Sequence, residues 1–140
     1  MDEYSLIERQ LIKHEGFSAK PYRCTADKLT IGYGRNLDDR GITKDEALHL
    51  LANDIQVCEI DLSNLLGDMY WRLSLDRQAA LLDMRYNLGA RGFRGFRKMI
   101  RALKKRNYFL AAQEIKNSEW YKQVGTRGRD VYNQMLGDKK

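Results

Sequence analysis

The sequence predicts an α+β fold, with a small acidic β-containing lobe joined by one long helix to a larger, basic helical lobe. Three observations carry this. Residues 20–34 combine β-formers with turn residues, and an unbroken three-four apolar repeat runs from Leu48 to Leu65. The charge also divides, with 8 Lys/Arg against 13 Asp/Glu in residues 1–70 and 17 against 6 in residues 71–140. A chain of 140 residues suits one domain, 1–140, built from two small lobes. It can bury about two-thirds of its unfolded surface, so it needs neither disulfide nor metal to hold it.

The elements follow in chain order. Ser5 and Glu8 have capping-box spacing ahead of Ile7 and Leu11, predicting a first helix over 4–14, stopped by Gly16 and packed with the helical lobe. Tyr22, Thr25, Thr30, Ile31 and Tyr33, around an Ala26-Asp27-Lys28 turn, predict a hairpin or three-stranded sheet in a lobe spanning 15–42. Asn36 to Gly41 reads as a polar loop. Thr43 and Glu46 form a second capping box, opening a connecting helix over 43–66 whose stripe is Leu48, Leu51, Ile55, Cys58, Leu62 and Leu65. In the helical lobe, 70–137, Ser74 caps a helix to Leu88, Gly89 stops it, and helices follow over Phe93–Arg106, Tyr108–Asn117 and Thr126–Leu136. Trp71, Tyr86, Trp120 and Tyr121 are expected to give this lobe's core its bulk, and Cys58 is expected to be a buried thiol.

Several function classes fall away. No run of about 18 apolar residues exists, so no membrane span is expected. The N-terminal Met-Asp-Glu-Tyr-Ser lacks the basic start and apolar run of a secretory signal. Two Cys and two His do not make a zinc site, and neither His14 nor His49 has a ligand partner at the usual spacings. A Cys24–Cys58 disulfide is disfavoured in a chain without a signal. The basic run Arg91–Arg106 interleaves Phe93, Phe96, Ile100 and Leu103 at helical spacing, which reads first as a core-facing stripe with a solvated basic face. That face can also attract an anionic polymer, but no nucleic-acid readout motif accompanies it.

One constellation points to chemistry. Glu15 stands at the exit of the first helix, near its negative pole, a setting that disfavours ionisation and suits a general acid. Cys24 follows after eight residues and Thr30 after five more, and Gly32 and Gly34 flank Tyr33 in the run Thr30-Ile31-Gly32-Tyr33-Gly34. The two glycines leave backbone open to a ligand. A dinucleotide fingerprint fails, because its third glycine and crossover helix are missing.

The run from Ile12 to Gly34, with Ile-Lys-His-Glu-Gly, Pro-Tyr-Arg-Cys-Thr and Leu-Thr-Ile-Gly-Tyr-Gly, closely resembles the phage-type lysozymes of glycoside hydrolase family 24. Their Glu, eight residues, Asp or Cys, five residues, Thr pattern maps onto Glu15, Cys24 and Thr30. The resemblance continues through Gly41–Ala47, Ser74-Leu75-Asp76, Asn87-Leu88-Gly89, Gly95-Phe96 and Trp120-Tyr121, covering nearly the whole chain. It implies a lysozyme-like fold and hydrolysis of the β-1,4 bond between N-acetylmuramic acid and N-acetylglucosamine in peptidoglycan, with inversion and without cofactor or metal. Glu15 then matches the general acid, Thr30 the hydroxyl that holds the attacking water, and Arg127 a basic residue that pairs with the acid across the cleft. Tyr33, Gly34, Arg35 and Asn87 are candidates for binding or support.

Cys24 departs from the commoner Asp. It is a weak base, a clamp on the water or dispensable, and Arg23, Arg35 and Arg127 are candidates to favour its thiolate. Arg35 itself stands where His is frequent, which leaves its role open. A transglycosylase using one Glu is the neighbouring reading, and an idle wall-binding module on the same fold is the alternative from another class. The same resemblance implies a monomeric endolysin held in the host bacterial cytoplasm until a holin opens the membrane, used in host cell lysis. The basic half is expected to attract wall carboxylates, making lysis sensitive to salt.

Overall fold

The computed structural model describes residues 3–137, which fall into two compact units divided between His49 and Leu50. Residues 1 and 2, on which part of the signal reading rests, lie outside the described residues. In the first unit α1 (Glu3–Glu15) leads into an antiparallel sheet of β1 (Ser18–Arg23), β2 (Leu29–Gly32) and β3 (Arg35–Asn36), in that order. Ser5 lies inside α1 rather than at its cap, because the helix already begins at Glu3.

Tyr22 pairs with Thr30 and Arg23 with Leu29, while Ser18 pairs with Gly32, so the register shifts between Ser18 and Tyr22. Pro21, which has no N–H to give a ladder, falls in that irregular stretch. The β1–β2 turn closes where the Asp27 N–H donates to the Cys24 carbonyl at 2.8 Å. The expected loop after Asn36 is instead a short helix, α2 (Leu37–Arg40). The Asn36 side chain caps it by accepting from the Asp39 N–H at 3.0 Å, so its polar residues serve a helix start. Asp38 then accepts from the Leu29 N–H at 2.8 Å, tying α2 to β2.

The long helix α3 (Lys44–Leu66) begins as the capping box predicts. Thr43 Oγ1 accepts from the Glu46 N–H at 3.1 Å and Glu46 Oε1 from the Thr43 N–H at 2.8 Å. Its apolar stripe is buried only toward its end, at Cys58, Leu62 and Leu66, whereas Leu48, Leu51 and Ile55 stay exposed.

Among the described residues the second unit has only helices beyond α3: α4 (Met69–Arg72), α5 (Leu75–Arg94), α6 (Arg97–Lys104), α7 (Tyr108–Lys116), α8 (Glu119–Val124) and α9 (Thr126–Leu136). Ser74 caps α5 as expected, accepting from the Arg77 N–H at 3.2 Å. Gly89 (φ 77°, ψ 170°) breaks the helical geometry of α5 where the sequence expects a stop, and a second helical stretch follows across the kink to Arg94. The single helix expected over Phe93–Arg106 is therefore two pieces, with the break at Gly95–Phe96. Its apolar side is core all the same: Phe93, Met99, Ile100 and Leu103 are buried, while Arg97, Lys98, Arg101 and Lys104 face solvent.

Trp120 and Tyr121 join this core, but Trp71 and Tyr86 do not, being 53% and 46% exposed. Trp71 instead lies edge-on to buried Tyr70 and donates to Ser63 Oγ at 2.9 Å. Asp61 ties α3 to α5 by accepting from Arg85 Nε at 2.6 Å and from both Arg94 terminal nitrogens. Arg94, then Arg85, hold its carboxyl down to about 2 despite partial burial. Arg77 closes α9 by donating to the carbonyls of Met135 and Leu136 at 2.8 and 2.9 Å, with its guanidinium over the Tyr108 ring. Among the described residues no helix is long and apolar enough to cross a membrane.

Candidate active site

The first unit gathers Glu15, Cys24, Thr30, Tyr33, Gly34 and Arg35 on α1 and the sheet. Glu15 is the last residue of α1 and is exposed. Its carboxylate lies against the backbone of Gly34, where a Cβ would come within 2.7 Å of Oε2 and 2.9 Å of Cδ. Gly34 has φ +80° and closes the three-residue connection between the pairs Ile31–Arg35 of β2 and β3. A tight hairpin needs a left-handed residue here, and the neighbouring carboxylate needs a missing side chain. Glycine meets both demands.

Cys24 sits where β1 leaves the sheet, its N–H donating to the Lys28 carbonyl at 3.0 Å. Backbone N–H groups of Lys28 and then Ala26 toward the sulfur lower its thiol below the ordinary value of 9.0. The arginines expected to do this are engaged elsewhere. Arg23 Nη1 pairs with Asp38 at 3.3 Å, and Arg35 makes a two-pronged ion pair with Glu46. Thr30 is 4% exposed and the one buried side chain among the described residues of this unit; its hydroxyl donates to the Lys28 carbonyl at 2.8 Å. Cys24 and Cys58 are both free thiols, and burial pushes the Cys58 thiol up.

Arg35 acts on the framework. It bridges the hairpin to the start of α3 through Glu46 and the Gly41 carbonyl, the latter at 3.1 Å. The Arg35 guanidinium and the Thr43 N–H hold the Glu46 carboxyl at about 2, from an ordinary 4.5. A lowered folded-state value means that this pairing stabilises the fold above pH 4.5 and is lost as pH falls through about 2. Acid unfolding of wild type should therefore show a loss between these limits that Arg35→Met largely abolishes. Equal acid curves for both proteins would contradict the assignment.

Asn87 and Arg127 belong to the second unit. Asn87 Oδ1 accepts from Trp120 Nε1 at 2.8 Å, holding that ring edge-on to Phe96. Arg127 Nε donates to Asp83 Oδ1 at 2.6 Å, beside a hollow of about 340 Å³ lined chiefly by Leu51, Ile55, Leu82 and Tyr86. Sequence reasoning gave Glu46 only its part in the capping box and gave Asp83 and Phe17 none; the arginine partners of Glu46 and Asp83 lie 11 and 44 residues away. An aromatic residue directly past a helix-ending glycine was the available signal for Phe17.

The chain matches the phage lysozyme family over residues 12–134. It is 25% identical over 156 aligned positions to "Probable T4-type lysozyme 2" of Dictyostelium discoideum, covering 91% of each chain. To "Probable T4-type lysozyme 1" of the same organism it is 26% identical over 106 positions, covering 72% of this chain and 62% of that one. With the Glu15, Cys24 and Thr30 spacing intact, and a match running from Ile12 to beyond Arg127, the chain belongs to the phage lysozyme family.

Proposed function

We propose that this peptidoglycan hydrolase cleaves the β-1,4 bond between N-acetylmuramic acid and N-acetylglucosamine with inversion. The observation that carries the reading is the open Glu15 carboxyl at the end of α1, with side-chain-free backbone at Gly34 beside it. Glu15 gives its proton to the departing glycosidic oxygen as the bond to the anomeric carbon breaks. Thr30, whose own proton goes to the Lys28 carbonyl, presents oxygen lone pairs. A water that donates one hydrogen to Thr30 and the other to the Cys24 thiolate keeps a lone pair aimed at the anomeric carbon. As the new C–O bond forms, a water proton passes to Cys24; afterwards the Cys24 thiol gives that proton up to solvent and solvent reprotonates Glu15.

The lowered Cys24 thiol and the raised Cys58 thiol support this division of roles. In the folded protein, iodoacetamide should modify Cys24 and spare Cys58, and modification should track loss of activity. Full activity after modification of Cys24 would remove it from the mechanism.

Proton NMR of freshly cleaved glycan strands tests the stereochemistry: an α-anomer appearing first supports inversion, and a β-anomer overturns it. Host cell lysis by a monomeric enzyme that waits in the bacterial cytoplasm for a holin is the cellular part of the same proposal. Its test is lysis on expression that requires co-expression of a membrane-permeabilising protein. The exposed basic face of α6 supports attraction to wall carboxylates, so clearing rates should fall as salt rises.

A further inference from the structure

We infer that Phe17 and Tyr33 form an aromatic platform that stacks on one pyranose ring of the glycan strand and sets it beside the Glu15 carboxyl. The inference rests on the glycosidase reading of Glu15 and adds a binding contact to it. Both rings flank that acid. Phe17 follows Glu15 across Gly16, and Tyr33 directly precedes Gly34, whose backbone the Glu15 carboxylate touches. The ring centroids lie 5.4 Å apart at 51° to one another, so the two side chains brace each other.

Neither ring serves a core. Phe17 remains 67% exposed and Tyr33 51%, in a unit where Thr30 alone is buried among the described residues. What sets these two apart from the other exposed apolar side chains of the unit is their mutual contact and their place on either side of Glu15 and Gly34. A pyranose ring offers a complementary surface, with a patch of C–H bonds on its face and hydroxyls around its rim. The aromatic faces suit the C–H patch, and the Tyr33 hydroxyl can give or take a hydrogen bond at the rim. Each ring has only two side-chain torsions, and the mutual contact restricts them further, so little freedom remains to be lost when sugar binds.

Binding is best read in the Glu15→Gln background, where strands are held but not cut. The probe is a soluble, uncrosslinked glycan oligomer of alternating N-acetylmuramic acid and N-acetylglucosamine. Phe17→Leu and Tyr33→Leu should each raise its Kd roughly 2- to 12-fold, the loss of one aromatic contact. Phe17→Tyr and Tyr33→Phe should hold it near the parent value. Leucine keeps apolar bulk without a ring face, so a packing role would leave both leucine variants binding like the parent. Phe109→Leu, at a residue 68% exposed in the other unit, should leave Kd unchanged. With Glu15 present, the leucine variants should raise KM by the same factor and change kcat less than about 2-fold.

Unchanged Kd in both leucine variants, or a lower kcat at constant KM, would overturn the platform. Failure of wild type to cut the oligomer would overturn the glycosidase reading, and the platform with it. Cutting by wild type, none by Glu15→Gln and unchanged Kd in the leucine variants would sink the platform alone.

Discussion

Replacing Glu15 by Gln should reduce glycan cleavage by a factor on the order of 10² to 10⁴ while leaving the fold intact. Glutamine keeps the length and shape of the side chain and still fits against Gly34. What it cannot do is give a proton to the leaving oxygen. Because Glu15 is exposed at the end of α1, its neutralisation leaves no buried charge uncompensated, and thermal stability should stay close to wild type. Initial rates of reducing-end release from purified sacculi, alongside a melting curve, make the comparison. A Glu15→Gln enzyme within ten-fold of wild type would remove Glu15 from the chemistry.

Gly34→Ala should cost about 10²-fold in kcat for a different reason. A Cβ at that position would stand 2.7 Å from Glu15 Oε2, closer than a Cβ carbon and an unbonded oxygen come. The obstructed group is the free end of a flexible side chain, so the carboxylate swings aside and the fold tolerates the change. The acid is then displaced from its working position. The backbone adds strain of its own, about 1–2 kcal/mol, because alanine is forced to φ +80°. Gly32 supplies the control. It has φ +68° but nothing within 4 Å of where a Cβ would lie, so Gly32→Ala carries similar strain without touching Glu15. The two variants should lose comparable stability, and only Gly34→Ala should lose most of its activity. Equal activity losses would mean that strain in the hairpin, and not the place of the carboxylate, limits the rate.

Much of the fold could be read from local chemistry. The Thr43 and Glu46 capping box predicts the start of α3 because both halves of its hydrogen-bond exchange lie within four residues. The same spacing at Ser5 and Glu8 misleads, since Ser5 falls inside α1 and the pattern alone does not reveal whether a helix has already begun. Asn36 has turn chemistry and cap chemistry at once, so sequence alone reads a loop where its side chain caps α2. Gly89 reads as a stop, and its left-handed φ of 77° does break the helical geometry there; the short helical stretch that follows to Arg94 is what the sequence left out. Trp71 looks like core bulk by composition, but its indole N–H finds Ser63 and most of the ring stays in water.

The site divides in the same way. The resemblance to the phage-type lysozymes singles out Glu15, Cys24 and Thr30, since the spacing that carries it is written along the chain. What lowers the Cys24 thiol is written elsewhere, in backbone N–H groups that every residue carries and only the turn at residues 24–28 aims at the sulfur. Arg23 and Arg35 are nearer in the sequence and are drawn off by Asp38 and Glu46, partners that only folding reveals. The closeness of Glu15 to Gly34 is likewise a tertiary fact, although the glycine marks it in retrospect.

Mass spectrometry of the products from purified peptidoglycan tests the central claim most directly. Hydrolysis at the N-acetylmuramic acid bond predicts fragments that end in a reducing N-acetylmuramic acid and carry the added water, formed by wild type and absent with Glu15→Gln. Fragments lighter by one water and ending in an anhydro-muramic ring, or fragments ending in reducing N-acetylglucosamine, would contradict it.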